Sequence, residues 1–475
     1  MWTETLIFLH YGVTLAVAIR VLLRPRLEPS VRLSWILIIQ LIPLVGILAY
    51  VLFGEIRMRG AEVQRMADVR DRLSSLWRAS DQTVARFGGV AGPLVAAVEA
   101  TGGFHAVRGN RIELLPEDDT AMDQMVAAID AAQDHVHILF YIWLDDVSGR
   151  KVADATIRAA SRGVAVRVMV DAIGSRAFSR SVTWANMKAA GIECVIALPL
   201  GLPIIGALFQ RMDLRNHRKI LVVDNDTGFT GSRNCSDMAF AAKPRFAPWV
   251  DILLRINGPV VRQMQAVFLQ DWMSYTGEDL GEMLEQTVPA DEPGIIAQVA
   301  GTGPDRRHGT LSDCMATMLY AARESVTITT PYYVPDAALD VAIRSAARRG
   351  VRVRMILPER NDLLVVAASS EGFYYSLLSA GVELYLFRAG LLHSKTITVD
   401  NAFSMVGSAN MDRRSFEINY EMNMLILDNA LTAQILQRQD SYIRRARPLT
   451  IQEIRDWSVW RRLRNNLLAL ASPLL

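Results

Sequence analysis

Two stretches near the start of the chain are apolar almost throughout. Leu6–Leu23 (LIFLHYGVTLAVAIRVLL) is apolar except for His10 and Arg20, and Leu33–Phe53 (LSWILIIQLIPLVGILAYVLF) carries no charge. At 1.5 Å per helical residue the second stretch reaches roughly 30 Å, the thickness of a hydrocarbon core. Trp35 and Tyr50 stand near its ends, as interfacial aromatics do, and Pro43 marks a kink. Arg20 lies near one end of the first stretch, where its long side chain can snorkel. The opening MWTET has no basic residue, which argues against a cleaved leader. The pattern predicts a transmembrane helical hairpin that puts the N-terminus and everything after Gly54 on one side. Arg24, Arg26 and Arg32 in the loop nearly balance Arg57, Arg59 and Arg65 after the second stretch, so the positive-inside count is close to a tie.

Beyond about Met66 the period changes. Apolar β-branched runs alternate with Ala-rich stretches of helical period. One unit, over 127–172, reads AAIDAAQDHVHILFYIWLDD and then KVADATIRAASRGVAVRVMVDA. A second, over 316–358, reads ATMLYAARESVTITTPYYVPD and then ALDVAIRSAARRGVRVRMILP. In both, a helix ending in Ala-Ala leads into a strand. A second helix stops at Arg-Gly, with Gly163 or Gly350 as its left-handed end, and a V-x-V-R strand follows. Such units predict an α/β fold, built twice, with a largely parallel sheet. The run holding Pro289, Pro293, Gly301, Gly303 and Pro304 separates the copies. The expected organisation is therefore a hairpin over 1–60, a helical connector over 61–100, and α/β domains over 101–290 and 291–475.

Composition narrows the class. Of 475 residues 51% are hydrophobic and 21% charged, which excludes a disordered chain. Lys and Arg number 51 against 49 acidic residues, and a net charge of +2 gives no support to nucleic acid as a partner. Cys194, Cys235 and Cys314 form no CxxC pair, so neither a disulfide scaffold nor a cysteine zinc site is expected.

Each copy ends in the same pattern. NHRKILVVDNDTGFTGSRN carries His217, Lys219, Asp224, Gly231, Ser232 and Asn234; LHSKTITVDNAFSMVGSAN carries His393, Lys395, Asp400, Gly407, Ser408 and Asn410. All spacings agree, in a chain with only seven histidines. Residues two apart on a strand share a face, so His and Lys project together. A hairpin would bring Ser and Asn beside them. Ammonium and amide donors around an imidazole suit a phosphate, with a ring nitrogen as nucleophile. One copy gives half a site. Two copies facing each other put two imidazoles on one phosphorus, one attacking while the other protonates the leaving oxygen. No acidic cluster accompanies them, so the lysines rather than a metal are expected to neutralise the phosphate.

This doubled pattern resembles the paired HKD motifs of the phospholipase D superfamily. The stretch NMDRRSFEINYE (410–421) is similar to the family's continuation, which places a Glu, here Glu421, behind a catalytic imidazole; Asp251 in WVDILLRINGP is its counterpart in the first half. A carboxylate on Nδ1–H fixes the tautomer and frees Nε2. The resemblance implies His217, Lys219, Asp224, His393, Lys395 and Asp400 as the catalytic set. Lys219, Lys395, Asn234 and Asn410 hold the phosphate, with Ser232, Ser408, Glu421 and Asp251 in support, while Asp224 and Asp400 shape the motif. No metal and no cofactor are implied. Outside the motifs the chain resembles bacterial-type cardiolipin synthases in its N-terminal segment, FYIWLDDVSGRKVAD, RMDLRNHRK, AGTGPD, TTPYYVPD, SAARRGVRVRMILPERND and the ending ASPLL, over about residues 6–475. It departs from many of them at Gly231-Ser232 and Ser236-Asp237-Met238, where Gly-Gly and Asp-Glu are common.

That resemblance implies two phospholipase D-like domains facing each other behind a membrane hairpin. It implies phosphatidylglycerol as substrate and cardiolipin as product. It also implies an inner-membrane, multi-pass location with the catalytic domain on the cytoplasmic side. Transfer to water or to another alcohol would use the same motifs, as would a membrane-anchored nuclease. Two further segments bear on lipid: Gly201–Leu208 (GLPIIGAL) reads equally as a buried loop or a lip dipping into a bilayer, and 455–475 (RDWSVWRRLRNNLLALASPLL) as an amphipathic helix on anionic lipid or one packed on the domain. Tyr332 and Tyr333 are expected at the site entrance or in the core.

Overall fold

The structure is a computed structural model, and it describes residues 2–24, 27–55, 57–58, 60–79, 88–89, 91–199, 211, 213–285, 293–306 and 309–470. Most of the Gly201–Leu208 loop's setting, and the loop itself, lie outside the described residues.

Three helices open the chain: α1 (Trp2–Leu22), α2 (Pro29–Leu41) and α3 (Pro43–Phe53). The second apolar stretch is thus not one continuous span. Pro43 cannot continue the hydrogen-bond ladder and instead begins a new helix, with the chain turning at Ile42. The Trp35 and Tyr50 rings meet edge to face with centroids 5.3 Å apart. On one straight helix these two positions would stand roughly 22 Å apart. Gly46 packs so closely on the backbone of Ile38 and Ile39 that a Cβ would not fit. Glu55, just beyond α3, accepts from Arg20 Nε at 2.7 Å and from the Tyr50 hydroxyl at 2.7 Å, and it pairs with Arg24. Arg20 therefore has an acid partner. The predicted pair of full spans is corrected to one 21-residue helix and two half-length helices folded back on each other. The chain leaves this module beside the α1–α2 connection, not beside the N-terminus. Among the described residues no helix is long and apolar enough to cross a membrane.

The rest is built on one continuous 15-stranded sheet. In each half three strands lie parallel: His135–Phe140, Ala165–Asp171 and Glu193–Ala197, and then Ser325–Thr329, Arg352–Pro358 and Glu383–Phe387. Their connecting helices are alike. Asp146 caps Val147–Ser161 by accepting from Gly149 N–H, and Asp336 caps Ala337–Arg348 by accepting from Leu339 N–H. Gly163 and Gly350 follow these helices at φ 89° and 91°, the left-handed stops expected. The expectation of a largely parallel sheet is nonetheless corrected. The motif hairpins, Lys219–Val223 with Thr227–Gly231 and Thr396–Val399 with Phe403–Gly407, run antiparallel and pair antiparallel to the first of the three parallel strands of their own half. A tight two-strand turn can join only antiparallel neighbours. The halves meet where Val107–Leu114 pairs antiparallel with Ile295–Thr302. Apolar cores lie within each half, and a third, around Phe268, Trp272, Val299 and Met424, spans their junction.

The C-terminal helix Val459–Leu470 packs one face on the helix Leu364–Ser379, where Arg461 pairs with Glu371 at 2.9 Å and Ser369 Oγ donates to the Leu468 carbonyl. Its other face leaves Trp460 79% exposed, with Leu463 and Leu467 beside it.

Candidate active site

The two motif histidines line one cavity of about 240 Å³, together with Asn234 and Asn410. The hairpins explain how. In each, a glycine precedes the Ser: a Cβ at Gly231 would collide with the Ile252 carbonyl, and one at Gly407 with Asn423. Only glycine lets the second strand pass this close, so the Asn two residues after the Ser reaches the cavity.

The backbone then crosses between halves. His217 N–H donates to the Tyr420 carbonyl at 2.9 Å, and His393 N–H to the Val250 carbonyl at 2.8 Å. Each histidine segment thus lies beside the segment that carries the other half's carboxylate. His217 Nδ1 stands 3.0 and 2.9 Å from the two oxygens of Glu421. His393 Nδ1 stands 2.7 Å from Asp251 Oδ1. Both pairs are buried, and with Nδ1–H held by a carboxylate each Nε2 is left available.

Lys219 and Lys395 are buried as well, and each ammonium donates to the carbonyl of its own half's histidine at 2.6 Å. Ser232 and Ser408 are placed differently from a ring of groups around one point. Their hydroxyls donate to Asp251 and Glu421, so they brace the carboxylates rather than line the cavity. Asp224 and Asp400, grouped with the catalytic residues by the motif, are also elsewhere. Asp224 accepts the backbone N–H groups of Gln133, Asp134 and His135 at 2.8, 2.9 and 2.9 Å. Asp400 accepts those of Arg323, Glu324 and Ser325, each at 2.8 Å. They staple the turn that opens the first parallel strand of each half and are not among the residues lining the cavity.

Burial sets the protonation states. It lowers His217 to about 4 against the opposing charge of Glu421, and it lowers His393 too. It brings Lys219 down to about 7 and Lys395 to about 8. Burial would raise both carboxyls, but the neighbouring imidazole and ammonium groups prevail and hold Asp251 and Glu421 at about 2. At neutral pH each pair is therefore a carboxylate behind a neutral imidazole, a state fit for nucleophilic attack. Neither lysine is among the residues lining the cavity, and a phosphate anion bound in front of them would restore their charge.

Other lining residues carried no motif signal. Arg215, Lys243, Asp362, Asp412 and Asn419 all face the cavity. Arg215 and Asn419 lie inside quoted stretches, RMDLRNHRK and EINYE, and proximity to the histidine was the available clue. Asp362 ends the stretch SAARRGVRVRMILPERND, whereas its partner Lys243, at 2.6 Å, had no such clue. Trp249 lines the cavity against His393, with centroids 4.7 Å apart. Tyr332 lines it with its hydroxyl on Asp362 at 2.7 Å, whereas Tyr333 is buried in the core on Asp340. Among the described residues no group of His, Cys, Asp and Glu is arranged to hold a metal ion.

Comparison with known proteins agrees with this geometry. Residues 125–272 and 315–443 match the family described as "Cardiolipin synthase, PLD-like domain", and residues 12–55 match "Phospholipase_D-nuclease N-terminal". The chain is 36% identical over 480 aligned positions to "Cardiolipin synthase A" of Yersinia pseudotuberculosis, covering 99% of this chain and 98% of that one. The same figures hold for "Cardiolipin synthase A" of Yersinia pestis. Among solved structures, phosphatidylserine synthase of Haemophilus influenzae superposes with a TM-score of 0.59 at 14% identity, over 80% of this chain and all of that one, which is a likeness of fold. With its two halves closed on one cavity and each lending the other a carboxylate, the chain belongs to the cardiolipin synthase family of the phospholipase D superfamily.

Proposed function

We propose that the protein makes cardiolipin by transferring a phosphatidyl group from one phosphatidylglycerol to another. His217 Nε2 attacks the phosphorus, and the bond from phosphorus to the glycerol oxygen breaks. His393, which takes up a proton on Nε2 when the phosphate anion binds, gives that proton to the leaving oxygen, and free glycerol departs. His393 then takes the proton from a terminal hydroxyl of a second phosphatidylglycerol. That oxygen attacks the phosphorus, the P–N bond breaks, and cardiolipin is released. Lys219, Lys395, Asn234 and Asn410 hold the phosphate oxygens. The observation that carries the reading is the crossed pair of buried histidine–carboxylate couples opening on one cavity.

The choice of His217 as nucleophile is supported by Glu421, whose two oxygens both lie against Nδ1 and are braced by Ser408 and Asn419.

A lipid substrate accounts for the apolar surface. Phe8 is 78% exposed and Leu44 79%, far beyond what water-facing helices usually show over a contiguous module. We read α1–α3 as inserted in a bilayer, with α2 and α3 entering and returning on the catalytic side. Leu364, 83% exposed beside the cavity residues Leu363 and Val366, and the outer face of the C-terminal helix are further apolar surface that a lipid surface would cover. The fold-back also breaks the charge tie. Arg24 before α2 and Arg32 in its first turn, with Arg57 and Arg65 after α3, belong to one end of the module, which the positive-inside rule puts in the cytoplasm. In sealed vesicles, Glu28→Cys and Gly60→Cys should be labelled from the same side; labelling from opposite sides means a full second span.

The deciding experiment on function is incubation of the full chain in detergent with phosphatidylglycerol and no added metal, with products identified by mass spectrometry. Cardiolipin and glycerol are expected. Phosphatidate instead would make water the acceptor and the protein a hydrolase.

A further inference from the structure

A phosphodiester can only accept hydrogen bonds, so the groups that hold it must donate. A hydroxyl beside the reacting centre needs the opposite, an acceptor. Two asparagine amides on the cavity wall present these two polarities. Asn234 accepts the Ile142 N–H through Oδ1 at 3.4 Å, which turns its NH₂ toward the cavity. Asn419 is turned the other way. Its Nδ2 donates to Glu421 Oε1 at 3.2 Å. A carboxylate can only accept, so this orientation is fixed. The Asn419 Oδ1 is then buried with no partner among the described residues, on a side chain that lines the cavity and is only 7% exposed.

A buried acceptor left unpaired costs the desolvation of that group unless a ligand completes it. Asn419 shares Glu421 with His217, so its free oxygen stands on the His217 side of the cavity. Asp412, buried on the same wall, adds a second acceptor: one oxygen takes the Ser415 N–H at 2.8 Å, and no cation pairs with it among the described residues. The ligand group must be a hydrogen-bond donor. Arg215, Arg414 and Lys243 on the lining are each paired with a carboxylate, Asp171, Asp213 and Asp362, so they do not set the ligand's charge, and Asn419 Oδ1 is itself a neutral acceptor. A neutral hydroxyl fits.

We propose that Asn419 accepts a hydrogen bond from a second hydroxyl of the alcohol being exchanged, and so selects glycerol-type vicinal diols over mono-alcohols and water. The proposal rests on the transfer reading above. In both half-reactions the exchanging alcohol is a glycerol whose central hydroxyl neighbours the reacting oxygen, so one acceptor serves both.

The test supplies the full chain, in detergent with phosphatidylglycerol, with an equimolar mixture of 1,2-propanediol and 1-propanol, and reads the ratio of the two phosphatidyl-alcohols by mass spectrometry. The two acceptors differ by the one hydroxyl. The wild type should favour the diol, and Asn419→Leu should lower that ratio about tenfold, the worth of one hydrogen bond to a buried acceptor. Asn419→Asp, which loses the donor to Glu421 but keeps an acceptor, should retain the preference. A wild type that partitions evenly, a Leu variant with an unchanged ratio, or an Asp variant that loses the ratio equally would each overturn the proposal. The first of these needs no variant to fold. Phosphatidate with no alcohol product would overturn the transfer reading itself, whereas alcohol products without diol preference would overturn only the role of Asn419.

Discussion

The surroundings of His217 and His393 are alike in frame and unlike in lining. In both halves an Asp staples three backbone N–H groups, a Lys caps the histidine carbonyl, a glycine admits the second strand and a Ser braces the carboxylate that its half lends to the other. Beyond that frame the halves diverge. His217 has a glutamate gripping Nδ1 with both oxygens and an asparagine behind it, with the Tyr141 ring at 4.8 Å. His393 has an aspartate gripping with one oxygen and Trp249 against its face. What duplication kept is what phosphorus needs from two opposite directions. What it let vary is what contacts the groups attached to phosphorus.

The largest effects should come from the shared frame. His217→Ala and His393→Ala should each lower cardiolipin formation by at least about 10³-fold with the fold retained by circular dichroism, because each removes a step that nothing else supplies. They should differ in what accumulates. In the intact-protein mass spectrum after prolonged exposure to phosphatidylglycerol, His393→Ala, slowed in both half-reactions but with its nucleophile intact, should show a phosphatidyl adduct and His217→Ala none. The reverse pattern would move the nucleophile to His393.

The borrowed carboxylates should sharpen the contrast at a smaller scale. Glu421→Gln and Asp251→Asn keep shape but lose the anion that orients Nδ1–H, a loss of about 10- to 100-fold for such outer partners. Glu421→Gln should be the costlier, since Ser408, Asn419 and His217 all converge on it. Equal losses in steady-state rate would mean that the two couples are interchangeable.

The lysines set the pH response, and here the halves should act together. Lys219 at about 7 and Lys395 at about 8 must be protonated to hold phosphate, so kcat/KM should fall as pH rises through that range. The substrate anion raises both in the complex, so the fall in kcat should lie at higher pH. A pH profile of kcat/KM that stays flat to pH 9 would remove the lysines from phosphate binding.

Local signals carried the frame into the sequence; the linings were not legible there. His-x-Lys, the Asp turn and Gly-Ser-x-Asn are short-range patterns whose geometry follows from strand period and hairpin closure. The βα units, their capping aspartates and their terminal glycines were equally local. Two kinds of feature were not. The crossing of Glu421 to His217 and of Asp251 to His393 depends on pairings about 204 and 142 residues apart, which no periodicity encodes. The fold-back of α2 and α3 was hidden because an apolar run reports length, not direction. Pro43 signalled a break, and only the packing of Gly46 on Ile38 turned a kink into a reversal.

The smallest effect on activity should come from the most symmetric feature. Asp224 and Asp400 sit at φ 52° and 50°, in the left-handed region that aspartate tolerates, and each gathers three N–H groups at the start of a strand. Replacing either by alanine leaves those donors without an anion and puts a less tolerant residue in a left-handed turn. A loss of about 1–3 kcal/mol in unfolding free energy is expected for each. Since neither carboxylate reaches the cavity, kcat measured well below the unfolding temperature should change little. The two losses should also match, because both staples hold the equivalent strand, His135–Phe140 in one half and Ser325–Thr329 in the other. If denaturant unfolding is unaffected while kcat collapses in either variant, the third letter of that motif acts on substrate, and the division between a shared frame and a divergent lining fails at its simplest point.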